Sequence, residues 1–193
     1  MITFDLGAVF GRFQPFHLGH LDYVLLALDR CKNLIIAVTN PDPWQSTREN
    51  VDERRGSDAA NPCTFYERLL MVRGSLFDVG VDEKRLTIVP APICFPERLL
   101  YYISQQATCF LTIYDDWGEV KKKRLADLGL SVEVLARARQ RGIVGHDVRQ
   151  AITKGQEWEH LVPEFSANFI QSHGIDKRIK QLGLYEMSAN DAG

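Results

Sequence analysis

Short apolar runs alternate with amphipathic stripes along this chain, and that rhythm constrains its fold more than any other feature. Phe4 to Phe10 is a strand-like run ended by Gly11, and Leu18 to Cys31 then carries Leu21, Val24, Leu25 and Leu28 at the spacing of one helix face. Asn33 to Thr39 reads as a fully buried strand bounded by Asn40-Pro41, and Thr64 to Val79 as a helix. A strand at Leu86 to Val89, a helix at Pro96 to Gln106 and a strand at Cys109 to Tyr114 follow. Then come a helix from Trp117 to Leu128, stopped by Gly129, and a last strand at Val132 to Leu135. Five short strands alternating with helices predict an α/β fold, a doubly wound parallel five-stranded sheet covered on both faces.

Two stretches break the rhythm. Residues 40–62 are rich in Pro, Asp, Ser, Asn and Arg with almost no period, the mark of a functional loop or a mobile segment. Beyond residue 137 the strands stop, and Asp147 to Lys154, Pro163 to Ser172 and Asp176 to Gln181 read as short helices. The expected organisation is a nucleotide-binding core over 1–136, a helical C-terminal cap over 137–183 packed on the same domain, and a flexible tail over 184–193. A length of 193 residues suits one such domain, which buries roughly 70% of its unfolded surface without staples.

Charge narrows the partners. With 23 basic and 25 acidic residues the net charge is −2, which argues against a nucleic acid polymer as the main partner. Locally the balance differs: Arg137, Arg139, Arg141, Arg149 and Lys154 face only Asp147 within 137–154, a patch able to attract a small polyanion. The four cysteines, Cys31, Cys63, Cys94 and Cys109, form no C-x-x-C pair and read as free thiols. No basic leader region and no apolar run near 20 residues is present, so a cytoplasmic chain without a membrane partner is expected.

The sharpest motif is Gly11-Arg12-Phe13-Gln14-Pro15-Phe16-His17-Leu18-Gly19-His20, at the junction of the first strand and first helix. Ligands of open α/β sheets bind outside the carboxyl ends of the strands, and a helix start there offers free N–H groups to phosphate. His17 and His20, three residues apart, share one helix face, and Gly19 between them admits close approach to the backbone. Two imidazoles so placed suit charge accumulating on a polyphosphate. A metal pair or two surface histidines are the plainer readings of His-x-x-His. Neither the G-x-G-x-x-G fingerprint nor the Walker pattern is present.

This motif resembles the G-x-F-x-P-x-H-x-G-H signature of the nucleotidyltransferase superfamily, and its wording is most similar to archaeal-type nicotinamide mononucleotide adenylyltransferases. The similarity continues at Asn61-Pro62-Cys63-Thr64-Phe65-Tyr66-Glu67-Arg68, at Gly145 to Arg149 and at Trp158 to Pro163, spanning most of residues 5 to 180. The resemblance implies that His17 and His20 contact the triphosphate and stabilise the transition state, with Arg149 holding the β- and γ-phosphates. It places Gly11, Arg12 and Phe13 along the nucleotide and acceptor pocket and Gly19 under the nucleotide. Asn61 and Arg68 are acceptor or base candidates, against a plainer reading of a helix cap at Asn61 to Thr64 and a solvent-facing Arg68.

One departure stands out. The resembled group closes on I-S-x-T-x-x-R, whereas here Val144 and His146 occupy the two hydroxyl positions. Valine donates no hydrogen bond, whereas His146, a nucleotide-binding candidate, can replace one donor and add charge, so the phosphate subsite is either rebuilt or weakened. Asp115, Asp116 and Trp117 follow the fourth strand as candidates for acceptor or base recognition, with Asp116 otherwise a helix N-cap. Lys121 to Arg124 reads mainly as a solvated helix face, and Trp44 as a lid aromatic or a packing anchor.

The implied reaction joins a nucleoside monophosphate from an NTP to a small phosphate-bearing acceptor and releases pyrophosphate, with Mg²⁺ bound mainly through phosphates. By resemblance the default is ATP with nicotinamide mononucleotide, giving NAD. The alternative is CTP on another small phosphate or phosphonate acceptor. A non-catalytic nucleotide-binding regulator is a third reading, motivated by Val144. A synthetase fragment sharing the H-x-G-H element fits less well, for want of accessory domains. A homo-oligomer through the C-terminal helices is also compatible with the sequence.

Overall fold

The structure, a computed structural model, describes residues 2–42, 56–114, 116–137 and 142–191, with the backbone alone at 116, 117, 137 and 189–191. Its five strands are β1 (Phe4–Gly11), β2 (Cys31–Thr39), β3 (Leu86–Ala91), β4 (Thr108–Ile113) and β5 (Ser131–Arg137). All pair in parallel, in the order β3-β2-β1-β4-β5. The described helices are α1 (Leu18–Leu28), α2 (Phe65–Asp78), α3 (Asp116–Asp127), α4 (Gly145–Lys154), α5 (Glu164–Ser172) and α6 (Ile175–Asp191).

The unbroken apolar runs of the central strands exist because both faces of the sheet are covered. Val9, Leu34, Ile36 and Val38 pack into one core with Val24 and Leu28 of α1, Met71 and Leu76 of α2, and Val148 and Ile170 of the C-terminal helices. Their neighbours Ala8, Phe10, Ile35 and Ala37 face a second core with Leu99, Leu111 and Leu125. Residues alternate between the two faces, so a strand with no polar positions is what the packing requires.

Two elements differ from the sequence expectation. Pro96 to Gln106 is not an α-helix: a 3-10 turn covers Pro96–Tyr101, and the Leu99 carbonyl accepts from both Tyr102 and Ile103. The aromatic and β-branched residues 101–103 are weak helix formers, and Ile103 is drawn into the core instead. The last helix, expected to end at Gln181, runs to Asp191 through most of the segment read as a tail. Gly183 is a packing position rather than a stop, because a Cβ there would lie 2.4 Å from Thr153 Oγ1 of α4. Cys31, Cys63 and Cys109 are buried thiols, and Cys94 is partly buried with its Sγ 3.7 Å from Asn40 Oδ1. No described helix is long and apolar enough to cross a membrane.

Candidate active site

Strand order fixes where a ligand can enter. From β1 the chain winds outward through β2 and β3, then crosses back so that β4 lies on the other side of β1. The direction of winding reverses between β1 and β4, and beyond the carboxyl ends of these strands a crevice opens. Residues 12–17 lead from β1 across that end of the sheet into α1.

His17 is the N-cap of α1, in extended conformation at φ −126° and ψ 171°. Its Nδ1 accepts from the His20 N–H at 3.3 Å, so hydrogen bonding assigns the neutral ring its proton on Nε2. The two imidazoles stack at 3.6 Å between centroids and 24° between planes. Phe16 stacks on His20 from a third position and Phe13 meets it edge-on at 4.8 Å. Burial lowers His17 to about 4, with the Arg149 charge adding to it and Asp147 opposing. Burial also lowers His20 well below its ordinary value, helped by the charges of His17 and Arg12. The pair therefore stands neutral at pH 7, able to donate hydrogen bonds without mutual repulsion.

The turn under this pair is strained and braced. Phe13, at φ 53°, and Asn40, at φ 49°, are non-glycine residues in the left-handed region, just beyond β1 and β2. Arg68 holds both turns. It is 1% exposed, and its guanidinium donates to the carbonyls of Arg12 (2.9 Å), Thr39 (2.8 Å), Asn40 (2.9 Å) and Thr64 (3.2 Å). Neither the solvent-facing reading nor the recognition role fits such a residue, since four of five donors are spent on backbone. Arg68 is a brace, and its burial lowers it to about 10. The cap expectation holds at Thr64, whose hydroxyl accepts from Glu67 while Glu67 accepts from the Thr64 N–H. Asn61 donates to the Ser57 carbonyl at 2.9 Å, closing the turn before α2.

Phe13 does not line an open pocket. It is fully buried, and its ring fills the space where a Cβ of Gly11 would stand, 2.4 Å away. At Gly19 a Cβ would sit 2.7 Å from the Ile143 carbonyl. Gly145 meets the loop from the other side, its Cβ position being 2.7 Å from the Gln14 carbonyl. Segment 143–145 thus lies directly against residues 14–19, which brings α4 to the histidines.

On α4, Arg149 is half-buried and donates from Nη1 to the Gln14 carbonyl at 2.5 Å. Burial, with repulsion from Arg12, lowers it to about 10. Val144 is the N-cap without a side-chain bond, and only the acidic half of a capping box forms, Val144 N–H to Asp147 Oδ2 at 3.0 Å. With no hydroxyl at the cap, the Asp147 N–H donates instead to the Val144 carbonyl at 3.0 Å. His146 is exposed in that first turn. Asp116 opens α3 as its first helical residue, not as its cap. The side chains of Asp116, Trp117 and Arg137, and the whole of Trp44, Asp115, Arg139 and Arg141, lie outside the described residues. Lys121 reaches back to the Phe10 carbonyl at 3.5 Å and over its ring, whereas Lys123 pairs with Asp127. Among the described residues no group of three or more His, Cys, Asp or Glu could hold a metal.

A sequence profile of the cytidylyltransferase-like family matches residues 8–178, nearly the whole of this architecture. The chain belongs to that family. Phosphonoformate cytidylyltransferase of Streptomyces viridochromogenes is 51% identical over 174 residues, 90% of this chain and 95% of that protein. Nicotinamide-nucleotide adenylyltransferase of Saccharolobus solfataricus is 28% identical over 89% of this chain and 93% of its own. Among solved structures, a bifunctional NMN adenylyltransferase/ADP ribose pyrophosphatase from Francisella tularensis superposes with a TM-score of 0.71 at 16% identity. That likeness covers 98% of this chain but 56% of that one, and it shows the shared fold alone.

This member of the family is a nucleotidyltransferase. The sequence did not reveal how its site is braced. Arg68 and Gln14 each spend their polar groups on distant backbone, 28 to 56 residues away for three of the Arg68 bonds and 49 for Gln14. No local pattern announces such partners. The one available signal was their polar character inside motifs that otherwise carry chemistry.

Proposed function

We propose that the chain transfers the cytidylyl group of CTP to a small phosphonate-bearing acceptor, releasing pyrophosphate. The observation that carries nucleotidyl transfer is the convergence of the His17–His20 stack and Arg149 on one braced loop at the sheet's switch point. The choice of CTP and a phosphonate draws on the 51% identity to a phosphonoformate cytidylyltransferase, against 28% for the adenylyltransferase relative. Those proportions favour the cytidylyl alternative over the ATP and nicotinamide mononucleotide reading.

In this reading an ionised acceptor oxygen attacks the α-phosphorus of the NTP. A P–O bond forms there, the bond to the bridging oxygen breaks, and the electron pair leaves with pyrophosphate. No general base is needed, because the nucleophile already carries its charge. The protein's task is to align two anions and stabilise the charge that moves onto the leaving group. His17 does so as a neutral Nε2–H donor, its tautomer held by the cap of α1, and His20 is kept in register by stacking. Arg149 uses one of five N–H donors on the Gln14 carbonyl, and the remainder suit the β- and γ-phosphates. Mg²⁺ arriving with the triphosphate would be coordinated by phosphate oxygens, as the described residues supply no cage for it. It would neutralise phosphate charge there.

The test is a matrix of CTP, ATP, GTP and UTP against phosphonoformate, phosphonoacetate and nicotinamide mononucleotide, read by pyrophosphate release. Turnover with CTP and a phosphonate is expected; turnover confined to ATP and nicotinamide mononucleotide would overturn the choice. His20→Ala should lower kcat by about 10²-fold or more.

A further inference from the structure

We infer that Gln14 is a positioning residue that sets where the Arg149 guanidinium stands against a triphosphate. Gln14 is 3% exposed, so it touches no substrate itself. Its side-chain amide pairs with the backbone of Cys63 in both directions: Nε2 donates to the Cys63 carbonyl at 2.9 Å, and Oε1 accepts from the Cys63 N–H at 2.8 Å. Only a primary amide offers the donor and acceptor that complement a peptide edge in this way. Leucine of similar length makes neither bond, and a carboxylate accepts but cannot donate.

The consequence lies at the residue's other end. The Gln14 carbonyl accepts the Arg149 Nη1–H at 2.5 Å and borders Gly145, so α4 is referenced to that oxygen. The adjoining residue, Phe13, holds a left-handed conformation that this loop would relax from if unbraced. Gln14 thus links the turn before α2 to the arginine on α4, across the loop that presents the histidines. Releasing the side chain lets the carbonyl move, and Arg149 moves with it. Misplacement of a positioning group by about 1 Å weakens function by up to 10²-fold.

The inference rests on the triphosphate role proposed for Arg149, and a double-mutant cycle separates the two. Inorganic tripolyphosphate is the probe, which makes the result independent of base and acceptor. Its Kd is measured calorimetrically for the full chain, Gln14→Leu, Arg149→Ala and the double variant. Arg149→Ala should weaken binding about tenfold or more and Gln14→Leu several-fold, with the double variant no weaker than Arg149→Ala within twofold. A Gln14→Leu effect that multiplies undiminished onto Arg149→Ala overturns the inference and leaves the arginine's role standing. An Arg149→Ala variant that binds as well as the parent overturns both. Should Gln14→Leu fail to fold, Gln14→Glu, which keeps the acceptor for Cys63 N–H, enters the same cycle under the same criterion.

Discussion

Acidification should loosen this fold through the histidine stack, and the size of the effect follows from His17. Its ordinary value of 6.5 is lowered to about 4 by burial of a ring that is 4% exposed. The unfolded chain therefore takes up a proton near pH 6.5, which the native state refuses until near pH 4. Between those values the unfolded state holds more protons, so stability falls as pH drops through that window and is fully present above it. The whole window is worth about 3 kcal/mol, and about 2 kcal/mol is lost by pH 5. With a urea slope of about 2 kcal/mol per molar, the midpoint shifts by about 1 M between pH 7 and 5 from this residue alone. His20 adds in the same direction, since its value is also lowered. The assay is urea unfolding at pH 7, 6, 5 and 4.5 for the parent and for His17→Asn. Asparagine retains an N-cap acceptor for α1 while removing the titrating ring. The variant should lose about 1 M less of its midpoint between pH 7 and 5 than the parent does. Equal shifts in the two proteins would refute the assignment of a buried neutral His17.

Other perturbations test the braces. Arg68→Lys keeps the charge but cannot reach four carbonyls at once, so it should reduce unfolding free energy by about 3 kcal/mol or more, read by urea denaturation; a loss under 1 kcal/mol would count against the brace. Gly19→Ala places a methyl 2.7 Å from the Ile143 carbonyl, and since that neighbour is backbone, kcat/KM should fall about 10²-fold; unchanged turnover would show that segment 143–145 yields freely. Thr64→Ala removes the cap of α2 and should cost about 1 kcal/mol of stability with kcat unaltered, because the hydroxyl faces Glu67 and not the site.

The sequence rendered the scaffold well and the site unevenly, for physical reasons that differ by residue. Strands buried on both faces leave long apolar runs, so β1, β2 and β4 are legible, as are the stripes of α1 and α2, whereas Pro96 to Gln106 forms only a 3-10 turn. The His17–His20 spacing made their shared face legible too. What spacing could not convey is that the rings stack on each other and on Phe16, because that depends on the turn through Phe13. Neither sequence reading of Arg68, as an acceptor or base candidate or as a solvent-facing cation, included a buried brace, because a charged residue in a helix is usually on the surface. Its partners are carbonyls at the ends of two strands, which only the parallel register brings within reach. Gly19 also lies against the Ile143 carbonyl, a neighbour more than a hundred residues along the chain that no local pattern announces.

These residues together separate fixed charge from directional hydrogen bonding. Arg12 repels both Arg68 and Arg149, and each is lowered to about 10 with burial as the larger cause. Neither guanidinium has a carboxylate among its described hydrogen-bond partners; carbonyl dipoles hold them instead. Carbonyls orient these arginines, while the carboxylates of Asp42 and Glu67 act on Arg68, and those of Glu186 and Asp147 on Arg149, only through their charge. The histidines are arranged the opposite way, neutral by burial and stacked at 3.6 Å, where two imidazolium rings would repel. Fixed charge thus comes from arginines whose geometry is set by backbone, and directional donation from rings that carry none. An enzyme moving charge onto a leaving pyrophosphate needs both, and it needs them before the substrate arrives. The strain at Phe13 and Asn40 fits the same logic. Those two turns are held in place from beneath by Arg68, which donates to the carbonyls of Arg12, Thr39 and Asn40.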